Sequence, residues 1–192
     1  MNISQVAAQL YTVREHCKTP AEIASSLKKI RAIGYKAVQV NGTGPIADRE
    51  LMAMLRGEGL VCCALHELSE TILTSPERVI ERLGNLDCKV VAYPSPGGRK
   101  LDTPADLADL ASHLNRAGEI LYRAGMTLCY HNHHIEFRRV GGRTILEQIF
   151  DQTDPRYLHA ELDTYWVQYG GSSPEAWCRR LAGRLPILHM KD

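Results

Sequence analysis

The amino-acid sequence predicts a parallel (β/α)8 barrel, incomplete, with seven of the eight strands present. Three observations predict it. Short apolar, β-branched runs recur at the spacing of one strand–helix unit. Helical patterns with legible ends lie between them. Polar residues stand at the C-terminal ends of several different runs.

The runs centre on Val6 (Val-Ala-Ala-Gln-Leu-Tyr), Val38 (Ala-Val-Gln-Val), Cys63 (Leu-Val-Cys-Cys-Ala-Leu), Val91 (Lys-Val-Val-Ala-Tyr), Leu128 (Thr-Leu-Cys-Tyr), Ala160 (Leu-His-Ala-Glu-Leu) and Leu188 (Ile-Leu-His-Met). Their centres are 32, 25, 28, 37, 32 and 28 residues apart. Each interval accommodates one strand, one helix and two short connections, and repetition of that unit builds a parallel sheet.

The helix starts follow from local chemistry. Thr19-Pro20, Ser75-Pro76, Thr103-Pro104 and Ser173-Pro174 each set a hydroxyl before a proline at the first helical position. The hydroxyl accepts an orphan backbone N–H, and the proline has no N–H to leave unpaired. Thr19 with Glu22 and Thr144 with Glu147 match the reciprocal capping box. Ile23, Leu27 and Ile30 form one apolar stripe, and Leu107, Leu110, Leu114 and Leu121 another. Gly34 and Gly125 follow these stripes as C-terminal stops.

An open doubly wound sheet for dinucleotides would carry a Gly-x-Gly-x-x-Gly turn after an early strand. The first two strand–helix turns have none, and Gly97-Gly98 does not fit the pattern. Gln9, Gln39, His66, His131, Asp163 and His189 instead fall at the C-terminal ends of separate strands, and convergence on one rim is a barrel property. A complete barrel takes about 250 residues, whereas this chain has 192 and its seventh run ends just before Asp192. The expectation is one barrel domain, residues 1–192, C-terminally truncated, without the eighth strand and the last two helices.

Lys and Arg number 23 against 22 Asp and Glu, so the charge balance offers no electrostatic case for nucleic acid or a membrane surface as partner. The six cysteines show no Cys-x-x-Cys spacing and sit mostly among apolar neighbours, which reads as reduced, buried thiols. No signal-peptide pattern or membrane-length apolar run is visible, and a cytoplasmic location is expected.

Three constellations carry chemistry. Tyr130-His131-Asn132-His133-His134-Ile135-Glu136-Phe137 packs three imidazoles and a carboxylate behind the fifth strand, with His134 expected to face solvent. On the sixth, Glu161-Leu162-Asp163-Thr164-Tyr165-Trp166 places Glu161 and Asp163 on one face by the two-residue period. Inward carboxylates need a cation or a proton. Glu161 reads equally as a partner for a deeper Lys or Arg and as a functional group. Trp166 and Tyr165 read as packing, or as rings that stack on sugar faces. On the seventh strand His189-Met190-Lys191-Asp192 sets an imidazole beside an ammonium. A mixed N/O donor set suits a divalent ion such as Mn²⁺, Co²⁺, Zn²⁺ or Mg²⁺. Such an ion polarises a carbonyl while a nearby base moves a proton from the adjacent carbon.

These motifs, with Ala8-Gln9-Leu10-Tyr11, resemble the xylose-isomerase-like TIM-barrel sugar phosphate isomerases/epimerases over the whole chain, most specifically from Gly125 onward. The resemblance implies a metal held by groups after strands five, six, seven and eight. Asp163 and His189 match the second and third. Glu136 is the carboxylate available for the first, with His131 as the alternative, and the fourth has no counterpart. The implied activity is a metal-dependent sugar isomerase or epimerase. Glu136, Asp163 and His189 would be on the metal, His131 and His133 would be acid and base, and Lys191 would face a developing enolate. Gln9, His66 and Trp166 would contact a small sugar or sugar derivative. Alternatives are a sugar dehydratase/lyase on the same fold or a truncated, non-catalytic sugar-binding chain. A hydrolase like the abasic-site endonucleases would want a basic face that the net charge of +1 does not provide. Association into a homo-oligomer through the open edges is a further expectation.

Overall fold

The structure, a computed structural model, describes residues 5–191. Asp192, the last residue of the seventh-strand motif, lies outside the described residues. The elements begin with β1 (Ala7–Gln9), a 3-10 segment (Leu10–His16), α1 (Pro20–Ile33), β2 (Ala37–Val40), α2 (Asp48–Gly57) and β3 (Val61–His66). There follow α3 (Ser69–Thr74), α4 (Pro76–Asn85), β4 (Val90–Tyr93), α5 (Pro104–Arg123) and β5 (Thr127–His131). A 3-10 turn (Ile135–Phe137) and a two-residue antiparallel ladder of Arg139–Val140 with Arg143–Thr144 precede α6 (Ile145–Asp151). The chain continues through β6 (Leu158–Asp163), α7 (Thr164–Tyr169), α8 (Pro174–Arg180) and β7 (Ile187–His189).

All seven expected strands form, and they pair in chain order in one seven-stranded sheet. Sequential order with a helical crossover between parallel neighbours is the barrel arrangement, with seven of eight strands. No helix among the described residues is long and apolar enough to cross a membrane. All six cysteines are free thiols, four of them buried.

The chain divides into two compact units, Met1–His66 with Arg78–Val91, and Glu67–Glu77 with Ala92–Asp192. In the first, β1 lies parallel to β2 with Gln9 opposite Gln39. A register shift between Val38 and Gln39 then sets Gln39 against Ala64 of β3. Thr19 caps α1 reciprocally with Glu22, and Ile23, Leu27 and Ile30 are buried as the stripe requires. Gly34 ends the helix at φ +118°, a left-handed conformation that costs a side chain with a Cβ about 1–2 kcal/mol.

In the second unit, α5 is capped by Thr103 with Asp106, and Leu107, Leu110, Leu114 and Leu121 are fully buried. Each such leucine contributes about 2 kcal/mol of burial. The Gly118 Cα passes so close to the Tyr157 carbonyl that a Cβ there would collide with it. Thr144 caps α6 with Glu147, and Ser173 caps α8. Ser75 ends α3, its N–H donating to Thr71 O, and α4 starts at Pro76. Arg184 ties the approach to β7 onto β6. Its guanidinium donates to Leu158 O and Phe150 O at 2.8–3.0 Å, and its carbonyl accepts from Ala160 N at 2.7 Å.

Candidate metal centre

Two registers assemble the site. β5 and β6 run parallel with His131 opposite Glu161, and β6 and β7 with Asp163 opposite His189. Neighbouring strands are about 4.8 Å apart, so these strand-end side chains meet. Glu161 is fully buried between two imidazoles. Its Oε2 is 3.2 Å from His131 Nδ1, and its Oε1 is 3.5 Å from His189 Nε2. His131, Glu161 and His189 each offer a ligand atom within 4.8 Å of the others. Burying a carboxylate without compensation is costly, and an imidazolium or a metal ion beside it supplies compensation. Two nitrogens and one oxygen from three adjacent strands fit a divalent ion.

Asp163 stands one turn of the pleat further out. Its Oδ1 accepts from Trp166 N at 3.0 Å and so caps α7, while Oδ2 lies 3.8 Å from His189 Nδ1 and 3.7 Å from Lys191 Nζ. Burial acts to raise the Asp163 pKa, but His189, the Trp166 N–H and Lys191 together hold it below the usual carboxylate value. Burial likewise acts to lower that of His189, and is outweighed by Asp163 and Glu161, which carry it up to about 9. Without a metal, His189 is therefore an imidazolium clamped between two carboxylates. Asn132 locks the strand ends: its Oδ1 accepts from Asp163 N at 2.9 Å and its Nδ2 donates to Asp163 O at 3.4 Å. Thr164 Oγ1 donates to His189 O at 3.0 Å and accepts from Lys191 N at 3.1 Å, tying α7 to the end of β7.

His133 lies beside this group, its ring 4.9 Å from that of His131 and 5.5 Å from that of Trp166. Burial, reinforced by His131, depresses its pKa to about 4, so it is a neutral base near pH 7. Lys191 Nζ rests 4.6 Å from the Trp166 ring centroid and 4.7 Å from that of Tyr165. His134 is exposed, as its sequence position suggested.

Glu136 is placed differently from the ligand role expected of it. It lies in the 3-10 turn, and its Oε1 accepts from Tyr130 Oη at 3.0 Å and its Oε2 from His133 N at 2.8 Å. It is fully buried, and burial raises its pKa against those hydrogen bonds. Tyr130 in turn stacks on Tyr93, ring centroids 5.5 Å apart. Of the three ligands expected, only His189 belongs to the converging group. Asp163 touches that ligand, and Glu136 braces the loop carrying His133. Glu161, which sequence reasoning left open, has imidazoles as its close partners, and its two-residue offset from Asp163 was the available signal.

In the first unit, Gln9 Nε2 donates to Gln39 Oε1 at 3.1 Å, and its own Oε1 accepts from Tyr11 N at 3.0 Å. His66 ends β3, with Nδ1 accepting from Asn41 Nδ2 at 3.0 Å. Both Gln9 and His66 are the last residues of their strands.

Residues 27–192 match the family model described as xylose isomerase-like TIM barrel. Inosose dehydratase of Geobacillus kaustophilus is 31% identical over 90 residues, which are 47% of this chain and 29% of that protein. Inosose dehydratase of Clostridium beijerinckii is 25% identical over 130 residues, 67% of this chain and 41% of that protein. The chain thus spans less than half the length of the curated relatives it matches. A sugar phosphate isomerase/epimerase from Parabacteroides distasonis superposes with a TM-score of 0.87 at 23% identity, covering 100% of this chain and 76% of that one.

Proposed function

The chain belongs to the xylose isomerase-like TIM-barrel family, and on that footing we propose that it moves a proton at the carbon beside a carbonyl of a sugar-like substrate. A divalent ion would be held by His131, Glu161 and His189. The observation that carries this reading is a fully buried carboxylate, Glu161, set between two imidazoles at strand ends. When bound, the ion supplies polarisation of the substrate oxygen. Two imidazoles in the set favour zinc, cobalt or manganese over magnesium.

The remaining steps belong to the chain's own groups. Neutral His133 accepts the proton from the carbon beside the carbonyl, and the electron pair moves onto the carbonyl oxygen as an enolate. The Lys191 ammonium lowers the energy of that negative charge. Asp163 holds His189 in orientation through Nδ1, and Glu136 holds the backbone of His133. Gln9, His66 and Trp166 are proposed substrate contacts on the strength of their places at or just beyond strand ends.

Isomerisation or epimerisation then returns the proton to a neighbouring carbon or to the opposite face. Dehydration instead expels a protonated hydroxyl from the next carbon as water and leaves a double bond. The names of the curated relatives favour the dehydratase outcome. Incubation in D2O with a ketose panel and a keto-inositol, followed by NMR, tests the proposal. Deuterium at the carbon beside the carbonyl, or a new enone, is expected from the metal-loaded chain and not from Glu161→Gln. Absence of both products with a full complement of metal would overturn it.

A further inference from the structure

We propose that Cys62 and Cys88 form a peroxide-sensitive dithiol, a modification site at which two buried thiols close reversibly into one disulfide. Both residues belong to the first unit. Cys62 is the second residue of β3, and Cys88 lies two residues ahead of β4, the strand paired with β3. The pair therefore sits at the N-terminal ends of its strands, whereas His66 stands at the C-terminal end of β3.

Two irregularities of the backbone bring the thiols together. Cys62 stands opposite Val38 and Ala64 opposite Gln39, so β3 carries an extra residue at Cys63. Val38 and Gln39 face opposite sides of the sheet, so the bulge puts Cys62 and Ala64 on opposite faces too, where a regular strand would keep them together. Cys62 is thus on the side of the fully buried Val38. On the other chain segment, Val79, Leu83 and Leu86 bury α4 and the turn after it, and Asp87 N donates to Gly84 O at 3.2 Å and Cys88 N to Leu83 O at 2.9 Å. Asp87 takes φ +49°, the left-handed conformation that ends a helix. The Cys62 and Cys88 thiols share a hydrogen bond, and the residues are only 6% and 4% exposed. Neighbouring strands run about 4.8 Å apart, inside the roughly 4.4–6.8 Å between Cα atoms that a disulfide spans.

The two sulfurs are not equivalent. The hydrogen bond from Cys62 holds the Cys88 pKa below the ordinary thiol value against its burial, while the same bond and burial push that of Cys62 up. Cys88 also lies in a turn between the exposed Asp87 and Lys89, which a small oxidant reaches. The Cys88 thiolate attacks one peroxide oxygen, the O–O bond breaks, and the departing hydroxide takes a proton to become water. The Cys62 sulfur then attacks the sulfenic sulfur of Cys88. The S–S bond forms, the S–O bond breaks, and the thiol proton leaves with the hydroxyl as a second water. Two thiols lose two electrons, and one peroxide gains them.

The test treats the full chain with hydrogen peroxide, then counts thiols with a chromogenic disulfide in denaturant and maps tryptic peptides without reduction. Expected is a fall from six thiols to four, two being consumed, in a single chain lighter by two hydrogens. Residues 57–78 and 83–89, the tryptic peptides carrying the pair, should be joined, and dithiothreitol should part them. The link should persist in Cys63→Ala, where Cys62 is the one cysteine left in residues 57–78, and be lost in Cys62→Ala. The Cys63→Ala map assigns the sulfur even if Cys62→Ala fails to fold. Six thiols remaining under excess peroxide, a link lost in Cys63→Ala, or Cys88 carried on to the sulfinic acid without a link would each overturn the proposal.

Discussion

Raising the pH of the metal-free chain should loosen the fold and tighten metal binding over one and the same interval. The group responsible is His189, whose side chain is 16% exposed and whose pKa stands at about 9 against a usual 6.5. Its folded value is raised, so its contribution to stability is complete below about pH 6.5 and disappears as pH climbs through about 9. The interval corresponds to about 3 kcal/mol at 1.36 kcal/mol per pH unit. A metal must displace the same proton. At pH 7 about 99% of His189 is protonated for a pKa of about 9, so apparent affinity is reduced about a hundredfold and should recover about tenfold per pH unit up to pH 9. His133, at about 4, adds nothing in that range. Denaturant titration of the chelated chain at pH 7, 8 and 9, and zinc competition against a chromophoric chelator at the same values, measure the two arms. Stability and affinity that are both flat from pH 6.5 to 9 would refute the clamp of His189 between Glu161 and Asp163.

Glu161→Gln should cost more than about a hundredfold in metal affinity, whereas Asp163→Asn, which reaches the ion only through His189, should cost about 10–100-fold; elemental analysis after dialysis ranks the two, and the reverse order would make Asp163 the ligand. Glu136→Ala strands the buried Tyr130 hydroxyl and His133 N–H and should destabilise by about 3 kcal/mol, with Glu136→Gln much milder, as read from urea midpoints. Leu114→Ala empties a fully buried position of α5 and should cost about 3 kcal/mol in the same assay without altering metal stoichiometry.

What could be read along the chain was whatever depends on neighbours in sequence. Thr19, Thr103 and Thr144 cap their helices because a hydroxyl reaches an N–H three residues on, and both partners are written side by side. The seven strands followed from apolar runs at the length of a βα unit, and the strand-end places of His131, Asp163 and His189 from where those runs stop. Ligand choice was not local. His131 meets Glu161 only through the register of β5 on β6, and His189 meets Asp163 only through that of β6 on β7. A carboxylate two residues along a strand moves by a full pleat, so Glu161 and Asp163 share a face and flank His189, Glu161 from the side of His131 and Asp163 from the side of Lys191. For Glu136 it was the 3-10 turn that set its carboxylate on the Tyr130 hydroxyl and the His133 N–H. Residue types and spacing determined which chemistry this chain carries, and pairing between strands distant in sequence decided which groups perform it, because angstrom-scale convergence is a property of register and turn geometry.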